Sequence, residues 1–207
     1  MLIVHHLNNS RSQRVLWLLE ELGLPYEIKH YQRNAKTMLA PPELRAVHPL
    51  GKSPVVTEGD VTIAETGAIV EYLTAREGGR LGPSADPVEG QRWRQFVHYA
   101  EGSMMPPLLA MLVVGRLGLL GRPARKPLQK MFAVHLKWLE SELATRDWFA
   151  GDAFSAADVM MSFPLEAARS RGGLDDRYPR LQAWLERIHA RTGYRAALQK
   201  GGAYAFA

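Results

Sequence analysis

The chain contains no cysteine. That absence removes disulfides, thiolate metal sites and any protein thiol as a nucleophile. Long apolar runs are missing as well: no stretch reaches the roughly 18 residues that a membrane-spanning helix needs, so no membrane association is expected. The start, Met1-Leu2-Ile3-Val4-His5-His6-Leu7, has no basic segment followed by a long apolar run, so no signal peptide is expected. Internal repeats and low-complexity segments are absent. The seven histidines form no ligand constellation; His5 and His6 fall on one apolar run and the others are scattered, so no metal is expected.

What is present is a chain of 207 residues, 46% of them hydrophobic, enough for one large core or two small ones. The charged fraction, 23%, is that of an ordinary globular protein and argues against extensive disorder. The net charge of +5 is unevenly placed. Residues 1–80 carry nine basic and nine acidic side chains, so the whole excess lies beyond them. Its densest run is Arg116, Arg122, Arg125, Lys126 and Lys130. Such a run can meet nucleic acid, an acidic lipid surface or a small anion, or can simply be a solvated face. No nucleic-acid motif accompanies it, and no nucleic-acid partner is expected.

Hydrophobic periodicity divides the chain in two. Met1–Leu7 reads as a buried strand, broken by Asn8-Asn9-Ser10. Val15, Leu18, Leu19 and Leu22 then fall on one helical face, which Gly23 and Pro25 end. Ser10 followed by Gln13 fits a capping box at the start of that helix. Tyr26–Gln32 reads as a second strand, and a short helix is expected near Pro42–Val47. Pro54-Val55-Val56-Thr57 and Val61-Thr62-Ile63 read as a hairpin around Glu58-Gly59-Asp60. A further helix starts near Glu65, with Ile69, Val70 and Leu73 on one face. The order β-α-β-α-β-β-α over residues 1–80 is that of a thioredoxin-like α/β domain. A linker is expected over 81–88, and 89–207 reads as an all-α helical bundle. In it Trp93, Phe96, Val97 and Ala100 mark a helix interrupted at Pro106-Pro107. Leu128, Met131, His135, Trp138 and Leu139 mark another. Ser155–Ala168 and the stripe Leu181, Trp184, Leu185, Ile188 mark two more.

The run from His5 to Ser10-Arg11, followed by Arg14-Val15-Leu16-Trp17-Leu18-Leu19-Glu20-Glu21, resembles the first strand and helix of the glutathione S-transferases. Pro41-Pro42-Glu43-Leu44 and His48-Pro49-Leu50-Gly51-Lys52-Ser53-Pro54 are similar to the family's second-helix loop and cis-proline turn. Ala64-Glu65-Thr66-Gly67-Ala68-Ile69 resembles its γ-glutamyl site, and Phe154-Ser155-Ala156-Ala157-Asp158 its C-terminal capping motif. These matches span nearly the whole chain in order. They look closest to a bacterial and fungal group with serine at the catalytic position.

The resemblance implies a cytoplasmic homodimer that binds glutathione in the first domain and turns its thiol on a small hydrophobic electrophile or a peroxide. Ordinary thiols have a pKa of about 8.5, so the thiolate has to be favoured by a donor and by a helix N-terminus. Ser10, where strand meets helix, can offer both; equally, it can serve only as the helix cap. Ser12 and Asn9 are the other candidate donors, and Arg11 can add positive charge. The resemblance implies a cis bond before Pro54 and backbone pairing of Ser53 with the cysteinyl part of glutathione. Lys52 and His48 can meet its glycine carboxylate. Glu65 and Thr66 can hold the γ-glutamyl ammonium and carboxylate, although their spacing also describes an ordinary helix start. Tyr99, Met104, Met105 and Met111 are candidates for an acceptor pocket, methionine being adaptable to varied apolar shapes. Ser155 and Asp158 read as a structural cap. Two other functions stay open on the same scaffold: a non-catalytic binding or regulatory protein using the basic run, and a glutathione-dependent isomerase or dehalogenase.

Overall fold

The computed structural model describes residues 1–206 and divides into two compact units. The first takes in Met1–Gly82 and His189–Ala205; the second takes in Pro83–Ile188 and Phe206.

The first unit is built on a four-stranded sheet in the order β2-β1-β3-β4. Its strands are β1 (Leu2–Leu7), β2 (Glu27–Tyr31), β3 (Val55–Glu58) and β4 (Val61–Ala64). β1 runs parallel to β2 and antiparallel to β3, and β3 and β4 form the hairpin, turning at Gly59 (φ 56°). Helix α1 (Ser12–Leu22) joins β1 to β2, α2 (Glu43–Val47) precedes β3, and α3 (Thr66–Arg76) follows β4. The expected α/β order is therefore present. β1, the inner strand flanked on both sides, has nearly every residue buried, as its apolar run implies.

The C-terminal boundary differs from the sequence reading, which puts everything after residue 88 in the helical domain. Helix α9 (Thr192–Gly201) belongs to the first unit and packs on α1. This explains a feature of α1 that a single apolar stripe does not: Leu16 and Trp17 are as buried as Leu18 and Leu19. The Trp17 ring meets Tyr194 edge to face at 5.1 Å. Arg191 forks onto both oxygens of Glu21 at 2.7 Å, and Lys200 reaches Glu20 at 2.6 Å. A side chain at Gly201 would meet the ends of the Gln13 (2.5 Å) and Leu16 (3.0 Å) side chains, so the end of α9 lies close against α1.

The second unit is all helical: α4 (Pro87–Tyr99), α5 (Met105–Arg116), α6 (Arg122–Glu142), α7 (Ala156–Ala167) and α8 (Pro179–His189, its last residue grouped with the first unit). Asp86 caps α4 by accepting from the N–H groups of Val88 and Glu89 at 2.9 Å. The expected break near Pro106-Pro107 is a widened π turn at Ala100–Met104, after which the chain continues as α5. Pro106 and Pro107 have no N–H to return to the carbonyls one turn earlier, and their rings crowd that turn. All twelve residues of α7 are buried, making it the central helix of the unit. The rings of Phe96, Trp138, Phe149 and Trp184 form a contiguous cluster with centroids 4.9 to 5.6 Å apart.

Candidate functional site

The turn from β1 into α1 carries the first group of residues. Asn8 and Asn9 end the strand, and Asn9 adopts φ 50°, a left-handed conformation that asparagine tolerates better than most residues. Ser10 follows, 5% exposed. Its Oγ accepts from the Ser12 N–H at 3.2 Å and lies 2.7 Å from the Ser12 Oγ. The capping box expected from Ser10 and Gln13 is absent. Arg11, without a side-chain cap bond, takes the cap position, and the buried Gln13 side-chain nitrogen has no partner among the described residues. Ser10 instead satisfies the amide two residues on, because α1 begins one residue later than the box requires.

The other two candidate donors are engaged elsewhere. Ser12, fully buried, turns its hydroxyl to His6 Nδ1 at 2.9 Å. Asn9 accepts from the Ala205 N–H at 2.8 Å. Arg11 is half-buried, and its charge together with burial lowers the pKa of the nearby Arg33 guanidinium, burial being the larger cause. The start of α1 is thus flanked by two cations in addition to the positive end of its own dipole.

The second group precedes β3. The Ser53–Pro54 peptide is cis. The last register pair between β1 and β3 is His5 with Val55, so Ser53 lies just beyond the ladder. Its hydroxyl continues the ladder by side chain: Ser53 Oγ donates to the His5 carbonyl at 2.8 Å and accepts from the Leu7 N–H at 3.3 Å. The sequence reading assigns no role to this hydroxyl. The Leu7 N–H is shared, reaching Ser12 Oγ at 3.3 Å as well. One backbone amide therefore ties the Ser10–Ser12 pair to the turn that carries Ser53.

The third group opens α3. Glu65 is exposed and holds φ 72°, ψ 122°, a conformation that L-residues other than glycine rarely adopt. Thr66 begins the helix, 2% exposed, and its Oγ1 receives Arg14 Nη2 at 3.4 Å. Arg14 and Ser12 stand on the same first turn of α1, so this helix start adjoins all three groups. His48 and Lys52 are not bonded into this set. His48, half-buried, accepts from the Leu50 N–H at 3.4 Å, and Lys52 is exposed.

The acceptor candidates lie in the second unit. Met104, Met105 and Met111 are buried, whereas Tyr99 keeps partial exposure. Tyr99 Oη lies 2.5 Å from His135 Nδ1. Burial raises the phenol pKa and lowers that of the imidazole, so both rings are neutral near pH 7. His135 is a polar partner that its position on an apolar stripe conceals. No group of three metal-ligating side chains occurs among the described residues.

His6 was also beyond reach of the sequence reading as a site residue. It is 3% exposed, and burial, followed by the charge of His30, holds its pKa down to about 4. It is therefore neutral at physiological pH, with Nδ1 2.9 Å from the Ser12 hydroxyl.

The sequence profile of the glutathione S-transferase N-terminal domain matches residues 1–75, and that of the C-terminal domain matches residues 122–187. Glutathione S-transferase 3 of Schizosaccharomyces pombe is 35% identical over 216 residues, covering 97% of this chain and 88% of the relative. Glutathione S-transferase 1 of Saccharomyces cerevisiae is 32% identical, covering 97% of this chain and 95% of the relative. Among solved structures, a glutathione S-transferase from Actinobacillus pleuropneumoniae superposes with a TM-score of 0.90 at 33% identity, over 100% of this chain and 95% of that one. With both domain profiles and full-length relatives in agreement, the chain belongs to the glutathione S-transferase family.

Proposed function

We propose that the protein is a glutathione transferase in which Ser10 stabilises the glutathione thiolate for attack on a hydrophobic electrophile or a peroxide. The observation that carries this reading is the placement of Ser10 Oγ at the start of α1. The oxygen accepts the Ser12 N–H, and its own proton is able to turn towards a sulfur. The thiol loses its proton to solvent, and the thiolate accepts from Ser10 in the field of a helix N-terminus and of Arg11. It then forms a bond to the electrophilic carbon as the leaving group departs, or to a peroxide oxygen as the O–O bond breaks.

Binding falls to the remaining residues. Thr66 offers its hydroxyl and the amides of α3 to the γ-glutamyl carboxylate, and Glu65 pairs with the ammonium. Ser53 keeps its hydroxyl on β1, which leaves its own N–H and C=O for the cysteinyl backbone. Lys52 and His48 meet the glycine carboxylate, and Tyr99 with the methionines Met104, Met105 and Met111 shapes the acceptor pocket. The protein acts as a cytoplasmic homodimer. Alignment and thiolate stabilisation are its chief catalytic contributions.

Calorimetric titration with glutathione, followed by turnover of a generic aryl halide, tests this reading. Ser10→Ala should lower turnover at least tenfold while glutathione affinity changes by less than about threefold. An unchanged rate would reduce Ser10 to a structural acceptor of the Ser12 N–H.

A regulatory role is the second reading, favoured by Arg116, Arg122, Arg125, Lys126 and Lys130. All five are exposed and none forms an ion pair among the described residues. FtsZ-localized protein A of Caulobacter vibrioides is a relative at 26% identity over 212 residues. Failure to bind glutathione at millimolar concentration, with salt-sensitive capture of an acidic partner, would favour this role.

A further inference from the structure

A hydrogen-bonded cluster runs inward from Ser10 through Ser12 to His6. Ser12 Oγ lies 2.9 Å from His6 Nδ1 and 2.7 Å from Ser10 Oγ, receives the Leu7 N–H at 3.3 Å and stands 3.4 Å from the Leu7 carbonyl. Ser10 Oγ in turn receives the Ser12 N–H at 3.2 Å.

We propose that Ser12 and His6 are positioning residues for Ser10, together pinning its oxygen at the start of α1 so that rotation about the Cβ–Oγ bond alone carries its proton onto the glutathione sulfur. This rests on the reading of Ser10 as the thiolate donor. A lone serine hydroxyl samples three staggered rotamers, each pointing its oxygen elsewhere. Here two contacts to Ser12 hold the oxygen, and Ser12 is held by His6 and Leu7. Only a hydrogen has to move when the thiolate forms, which is the preorganisation that makes a donor effective. His6 does not store the thiol proton. Its pKa of about 4 lies far below the roughly 8.5 of a thiol, so that proton leaves to water and His6 remains neutral.

The readout is the ultraviolet absorbance of bound glutathione thiolate against pH, together with kcat and KM, for the wild type, Ser10→Ala, Ser12→Ala, Ser12→Thr and His6→Asn. Ser12→Ala should raise the apparent pKa of the bound thiol by about one unit and lower kcat about tenfold. KM for glutathione should stay within about twofold. Ser12→Thr, which keeps the hydroxyl, should restore most of the loss. His6→Asn, which keeps a polar atom near the Nδ1 position but not the ring, should fall between. Should Ser12→Ala fail to fold, Ser12→Cys keeps the shape with a much weaker donor and should shift the thiol pKa in the same direction. A shift in Ser10→Ala with none in the Ser12 variants would overturn the positioning role and leave Ser10 standing. No shift in Ser10→Ala would overturn both.

Discussion

Glu65 holds the least comfortable backbone among the described residues close to the site, φ 72° and ψ 122° with a full side chain. Such a conformation costs about 1–3 kcal/mol in a non-glycine residue. It turns the chain sharply from β4 into α3, so that Thr66 starts the helix buried against Arg14. Glu65→Gly removes the strain at the expense of about 0.5–1 kcal/mol of extra unfolded-chain entropy. Urea denaturation should show the variant unchanged or more stable by about 1 kcal/mol. Calorimetry should show weaker glutathione binding, because the carboxylate proposed to pair with the ligand's ammonium is gone. A stable variant with full affinity would remove Glu65 from the binding set.

Elements in the second unit are held by one carboxylate. Asp158 closes the capping box of α7 with Ser155 and also accepts from the Phe149 N–H at 3.0 Å and from Trp184 Nε1 at 3.4 Å. Burial pushes its pKa up to about 6 against the pull of these donors. The cap itself is plain from Ser155 and Asp158 in the sequence, because a capping box is local. The ties to Phe149 and Trp184 are not, because they join segments brought together only by folding. Asp158→Ala leaves four donor groups without an acceptor, and thermal or urea unfolding should register a loss of about 3 kcal/mol or more. Ser155→Ala removes only the local cap and should lose about 1 kcal/mol. Equal losses in the two variants would mean that Asp158 is no more than a cap.

For the molecule as a whole, the buried neutral His6 makes stability depend on pH. Its pKa is lowered from 6.5 in the unfolded chain to about 4 in the folded one. The unfolded chain therefore binds the extra proton first as pH falls. The contribution of His6 is complete above pH 6.5 and is lost as pH falls through about 4. Asp158 works in the opposite sense, since its raised pKa favours the folded state as pH falls from about 6 to 3.8. The two partly cancel in the wild type, so the informative measurement is a difference. The stability margin of wild type over His6→Asn, from urea titrations at several pH values, should shrink by about 3 kcal/mol between pH 7 and pH 4. A margin independent of pH would mean that the ring titrates normally.

Local order along the chain is what the sequence by itself determined. Alternation and helical stripes placed the β-α-β-α-β-β-α series and the helices beyond it, because those patterns repeat within a few residues. Ser10, Ser53 and Thr66 were named as site candidates through the resemblance of their motifs to the family, since spacing alone describes Ser10 and Thr66 equally well as ordinary helix starts. Only the tertiary structure decided what each hydroxyl bonds to. The capping box at Ser10 gave way to a contact with Ser12, Ser53 took up the open end of the β1 ladder, and His6 became the inner anchor of Ser10. It also decided that α9, nearly 200 residues from β1 in the chain, belongs with the first unit. The hydrogen bond from Ser53 to the His5 carbonyl leaves no spacing to read, since both its partners are set by how distant segments pack.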